Sequence, residues 1–147
     1  MTFPREGGCQ CGAIRYVVDE PPKLIFACHC KDCQRRSGAA VVVSLIVRDQ
    51  AFRITNGHPT PQRRTNDQGR VLEHWFCADC GTPLLGMARG TTPNLYQTVR
   101  VGTMDDVAGL SPSVHVWTRS AQDWVSMPSN ARCFEGNPPG PLLALAE

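Results

Sequence analysis

The spacing of its cysteines constrains this chain more than any other feature. Eight cysteines stand at positions 9, 11, 28, 30, 33, 77, 80 and 133 of 147 residues. The first seven form three clusters: a C-x-C pair (Cys9, Cys11), a C-x-C-x-x-C trio (Cys28, Cys30, Cys33) and a C-x-x-C pair (Cys77, Cys80). Such spacing holds sulfurs side by side on a tight turn, about 3.5 to 4 Å apart, as a tetrahedral ion with ~2.3 Å Zn–S bonds requires. Gly12 follows the first pair and Gly81 the last. A glycine there lets the backbone turn through positive φ around an ion.

Both pairs look like one kind of knuckle, CQCG and CADCG. Combining them predicts a closed four-thiolate zinc site of Cys9, Cys11, Cys77 and Cys80, structural in role because no coordination position is free. The trio Cys28, Cys30 and Cys33 is left with three thiolates and one open corner. Open corners are where zinc does chemistry, and soft sulfur ligands favour zinc over magnesium or calcium. The expectation is two zinc ions per chain. The trio has other outlets at this stage. Cys133 or a histidine would close it into a second inert site, and an iron–sulfur cluster would need a fourth close cysteine.

Eight cysteines in a secreted chain would suggest disulfides. The opening MTFPREGG has no apolar leader, and no window approaches the ~18 apolar residues needed to span a bilayer. The expectation is a soluble, cytoplasmic protein without a membrane partner, in which thiols stay reduced. The net charge of +2 and the isolated doublets Arg35-Arg36 and Arg63-Arg64 give no basic stripe, so no nucleic-acid partner is expected.

The rest of the chain reads as short strands. Residues 13–18, 39–47, 51–55, 71–76, 94–104 and 113–118 are apolar, β-branched or alternating. Residues 56–61 read as a turn, and CKDCQRRSG as a short helical turn that Gly38 closes in the left-handed region. The fold class is mainly β, in one zinc-binding domain over residues 1–136. The Pro-rich tail of residues 137–147 reads as an extended or loosely attached arm.

Four stretches taken together, GGCQCGAIRY, ACHCKDCQRRSG, FCADCGTPL and SVHVWTRSAQDW, resemble the glutathione-dependent formaldehyde-activating enzyme family. The likeness runs from about residue 7 to 135 and keeps all three cysteine clusters in order. It implies a β-tent fold of small twisted sheets, with structural zinc on Cys9, Cys11, Cys77 and Cys80 and catalytic zinc on Cys28, Cys30 and Cys33. It also implies a carbon–sulfur lyase activity like that of S-(hydroxymethyl)glutathione synthase, which joins a small thiol, glutathione, to an aldehyde, formaldehyde. His74 stands near the aromatic residues where the family commonly has an arginine.

The same residues suggest the chemistry. A zinc with three thiolates carries net charge −1 and suits a soft fourth ligand, such as a substrate thiol that binds as thiolate. Asp32, His29, His74 and His115 are the candidates for moving a proton. His29 lies between two ligands and is expected to point away from the metal. In a regular strand His115 and Trp117 would share one face. Trp75, Trp117 and Trp124 are expected in the core or as pocket walls. Arg35, Arg36 or Arg100 could hold a substrate carboxylate. The rival reading is a zinc-stabilised binding module without catalysis. A third, methionine sulfoxide reduction, needs an unligated nucleophilic cysteine, and Cys133 alone lies outside the clusters.

Overall fold

The computed structural model describes residues 1–65, 69, 71–88 and 95–146. In chain order its elements are β1 (Arg5–Gly8), β2 (Arg15–Val18), β3 (Leu24–Cys28), α1 (Lys31–Ser37), β4 (Val42–Arg48), β5 (Phe52–Asn56), β6 (Thr60–Thr65), β7 (Val71–Phe76), β8 (Pro83–Ala88), β9 (Tyr96–Arg100), β10 (Val114–Val116) and β11 (Arg132–Phe134). The architecture is mainly β, with short strands and clustered cysteines, as the β-tent expectation required. One sheet has the order β1-β2-β5; the other has eight strands in the order β11-β10-β3-β4-β9-β8-β7-β6. Only β10 makes parallel pairs, with β3 and with β11, among the pairings described.

The large sheet is buried on both faces at its centre, which explains its sequence. LIFAC in β3 is buried at every position, and VVSLIV in β4 nearly so. On one face, Ile25, Leu45, Val47 and Val99 pack against Ile14, Tyr16 and Val18 of the small sheet. On the other face, Leu24, Phe26, Ile46, Val114 and Val116 form a second cluster. Burying a side chain such as Leu45 contributes about 1.5–3 kcal/mol. Tyr16, fully buried, keeps its hydroxyl bonded to Thr103 Oγ1 at 2.8 Å.

The structure departs from the sequence reading at several places. β1, β3, β6, β8 and β11 were not anticipated. LIFAC is short and flanked by cysteines, TPQRRT is polar, and PLLGMA is interrupted by glycine. The turn predicted over residues 56–61 shrinks, because Asn56 ends β5 and Thr60 begins β6. The expected strand at residues 94–104 is β9 alone; residue 94 lies outside the described residues, and Val101–Thr103 is a 3-10 turn.

β10 stops at Val116 because Trp117 adopts φ 60°. His115 and Trp117 therefore do not share a regular strand face. A bulky residue in the left-handed region is uncommon, and side-chain contacts offset its cost here. Trp117 Nε1 donates to Asn137 Oδ1 at 2.9 Å, and the Arg119 guanidinium lies 4.7 Å from the ring centroid. The tail is anchored rather than loose. Leu142, Leu143 and Leu145 of its 3-10 turn pack on the second cluster, and Arg132 bonds the Leu145 carbonyl. Trp124 is 73% exposed, so it is neither core nor buried wall.

Leu45→Ala is expected to cost about 2–5 kcal/mol in urea unfolding. Trp124→Ala should stay within about 0.5 kcal/mol of the parent.

Candidate metal centre

Seven sulfurs gather in two groups. Within each group the ligand atoms lie within 4.8 Å of one another: Cys9, Cys11, Cys77 and Cys80 in one, Cys28, Cys30 and Cys33 in the other. The quartet joins two hairpin tips. Cys9 and Cys11 lie between β1 and β2, while Cys77 and Cys80 lie between β7 and β8. The Sγ atoms of Cys9 and Cys11 are 3.5 Å apart, and those of Cys11 and Cys77 are 3.8 Å apart. These separations match those expected around a tetrahedral ion with ~2.3 Å bonds to sulfur. Gly12 (φ 78°) and Gly81 (φ 76°) turn each knuckle as their positions predicted. Backbone bonds from Gly12 N to Cys9 O (3.1 Å) and from Gly81 N to Cys77 O (2.8 Å) close the turns.

Thiolate character is already distributed within the quartet. Hydrogen bonds from the Thr82 hydroxyl and backbone bring Cys80 down to about 6. The Ala13 amide favours the Cys11 thiolate, but the Cys9 and Cys80 sulfurs outweigh it and push Cys11 up to about 12. The Ile14 amide donates to Cys9 Sγ at 3.2 Å.

The trio occupies the junction of β3 and α1. Cys28 ends the strand, Cys30 caps the helix and Cys33 lies in its first turn. Cys30 Sγ accepts the Cys33 backbone N–H at 3.3 Å. Gly38 ends α1 at φ 69°, as predicted. Donation from the Cys28 and Cys33 thiols, helped by the Cys33 and Asp32 amides, brings Cys30 down to about 2. Those same contacts, with burial, push Cys28 far up. At Cys33 the Cys28 thiol favours the anion, but Cys30 and burial prevail and raise it. Of the three sulfurs, Cys30 is the one whose surroundings favour the anion.

No fourth His, Cys, Asp or Glu among the described residues joins the trio. Cys133 is exposed, opposite His115 in β11, with its sulfur 3.7 Å from Met127 Sδ. It does not close the trio into a second four-ligand site. All eight cysteines are free thiols. His29 is fully buried, and its Nε2 lies 3.0 Å from His115 Nδ1. Its ring nitrogens do not join the sulfur trio. Burial, with the neighbouring ring, pushes His29 down; burial does the same to His115. Asp32 forms an ion pair with Arg64 of β6.

His74, Arg36 and Arg100 come together beside the trio, while Arg35 is exposed on α1. Ser44 sits directly opposite Arg100 in the β4–β9 pair and accepts from its Nη1 at 2.8 Å. Arg100 Nη2 is 3.5 Å from His74 Nδ1. Arg36 Nη1 donates to Gln62 Oε1 at 2.6 Å. Burial, then Arg36, Arg100 and Arg64, bring His74 down to about 4. Arg100 also acts electrostatically on Cys33. Ser44, Gln62 and Gly86 were not singled out in the sequence. A lone hydroxyl in AAVVVSLIV and a glycine within PLLGMA are the signals that could have marked two of them.

A family model described as glutathione-dependent formaldehyde-activating enzyme matches residues 4–120. The chain belongs to that family. A Halomonas elongata protein, provisionally named as a glutathione-dependent formaldehyde-activating enzyme, is 27% identical over 139 residues, covering 90% of this chain and 88% of its own length. A Rhodobacter sphaeroides protein of known crystal structure shares the fold, with a TM-score of 0.52 and 22% identity over 71% of this chain and 91% of its own. The family match carries the cysteine clusters with it, and residues 121–146 lie beyond it. No helix among the described residues is long and apolar enough to cross a membrane.

A histidine whose folded pKa lies below its unfolded value adds stability above the unfolded pKa, and loses it as pH falls toward the folded one. His74, at about 4 against an ordinary 6.5, should therefore destabilise the chain between pH 6.5 and 4. The loss should be at most roughly 3 kcal/mol. Urea midpoints measured across that window should fall more steeply for the parent than for His74→Gln.

Proposed function

We propose that the protein is a zinc-dependent thiol–aldehyde adduct enzyme, a carbon–sulfur lyase in the reverse direction, acting on a glutathione-like thiol and formaldehyde or a related aldehyde. The observation that carries this reading is the trio Cys28, Cys30 and Cys33, which gathers three sulfurs and no fourth protein ligand among the described residues. Family membership and the name of the Halomonas relative support the substrate class. The eight free thiols support a reducing, cytoplasmic setting.

The donor set of each group fits zinc. Cys9, Cys11, Cys77 and Cys80 would hold a structural ion, with no position left for a ligand. Cys28, Cys30 and Cys33 would hold the catalytic one. Zinc held there would supply a soft Lewis acid that favours the thiolate form of an incoming thiol. The sulfur attacks the aldehyde carbon and a C–S bond forms. The carbonyl π pair moves to oxygen, and the proton lost by the thiol ends there, giving the hemithioacetal. Of the four proton-carrier candidates, Asp32 is held by Arg64, and His29 and His115 are buried against each other. His74, half-buried and neutral at pH 7, is left beside the trio; held down to about 4, it is a weak base and serves better as a neutral hydrogen-bond partner.

Metal analysis should find two zinc ions per chain, with one exchanging when glutathione is added. Cys30→Ser should abolish adduct formation, followed by NMR of the formaldehyde–thiol mixture, and leave the circular dichroism unchanged. Cys77→Ser should unfold the chain, since structural zinc contributes on the order of 10 kcal/mol of folding free energy. Equal behaviour of the two variants would remove the division of roles.

A further inference from the structure

The face of the large sheet that carries the trio also carries an unusual set of side chains. Cross-strand partners project from the same face of a sheet. Register places Ser44 opposite Arg100, Gly86 opposite His74, and His74 opposite Gln62. α1 lies against this face, with Cys33 and Arg36 one helical turn apart on the same side. Arg36 and Arg100 are close enough that each guanidinium acts on the other and on Cys33.

Arg100 is only 8% exposed, and its two named partners, Ser44 and His74, are both uncharged. Burial of a guanidinium is costly unless an anion meets it. Asp32, which acts on Arg36 and His74, is already paired with Arg64. Glu73, next to His74 in the strand, pairs with Arg63. Gly86 makes room for the Arg100 and His74 side chains. A Cβ at that position would lie 2.9 Å from both Arg100 Nη2 and His74 Nδ1, closer than real Cβ atoms approach. A strand glycine with this surrounding marks a close approach of side chains or of a ligand. Beyond the N–H groups given to Gln62, Ser44 and His74, both guanidiniums keep further donors in the planar geometry suited to a carboxylate.

We propose that Arg36 and Arg100, with His74 and Gly86 shaping the space between them, form a carboxylate subsite beside the sulfur trio, which selects small thiols that carry a carboxylate. This rests on the thiol reading above and narrows its substrate class. A competing account has the arginines balance only the negative charge of the metal-loaded trio. In that case a carboxylate on the thiol would make no difference.

The test is calorimetric titration of the zinc-loaded protein with glutathione and with glutathione diethyl ester. Glutathione should bind about ten- to a hundredfold more tightly. The ratio should fall toward one in Arg36→Gln, which removes a fork, and in Gly86→Ala, which displaces Arg100 without altering charge. Both variants should keep two zinc ions. Equal binding of acid and ester by the parent, or a ratio that survives in both variants, overturns the subsite while leaving the thiol reading intact. If neither thiol binds, succinate decides. Its binding to the parent and loss in Arg36→Gln sustains the subsite and removes the thiol reading, and its failure to bind removes both.

Discussion

The rest of the structure depends on a contact between two hairpin tips. Cys11 and Cys77, separated by 66 positions in the chain, bring their sulfurs to 3.8 Å. One belongs to the turn of the small sheet and the other to a turn of the large one. Cys9 and Cys77 are themselves part of the apolar core between the sheets. The sulfur quartet is therefore continuous with hydrophobic packing and also fixes how the sheets are joined. Neither feature suffices alone. Short strands of three to seven residues bury modest area each, and a long loop closed by sulfurs needs a surface to rest against.

Fixing the sheets in this way places the second sulfur group. The trio lies on the opposite face of the large sheet, where Cys28 joins the cluster of Phe26, Val114 and Val116. Its surroundings divide. On one side are apolar residues and Trp117; on the other are Arg36, Arg100 and His74, brought in by α1, β9 and β7. The sulfur trio thus sits between an apolar wall and a cationic one. The buried histidine pair on β10 and the start of the helix turn is structural by its placement, since both rings are hidden from solvent.

The sequence made the sulfur chemistry legible because ligand spacing is local. The C-x-C and C-x-x-C turns, the glycines after them and the helix stop at Gly38 all rest on a few neighbouring residues, and all three appear in the structure. The two-sheet division was not legible, because strand order is set by contacts between distant segments. Arg36, Arg100 and His74 were candidates by residue type, but their convergence stayed hidden for the same reason. Arg36, Gln62, His74, Gly86 and Arg100 are scattered over five elements and meet only through register. The strand ending at Val116 was missed because a left-handed Trp117 has no sequence signal of its own; Asn137, which accepts from its ring, lies twenty residues on.

The two sulfur groups also differ in how much chain must be ordered to assemble them. All three sulfurs of the trio come from six consecutive residues, 28–33, so a newly made segment brings them together by local turning alone. The quartet exists only once the hairpins of both sheets have met. Assembly of the two sulfur groups therefore has a built-in order: the trio needs only its own segment, whereas the quartet needs both sheets in place.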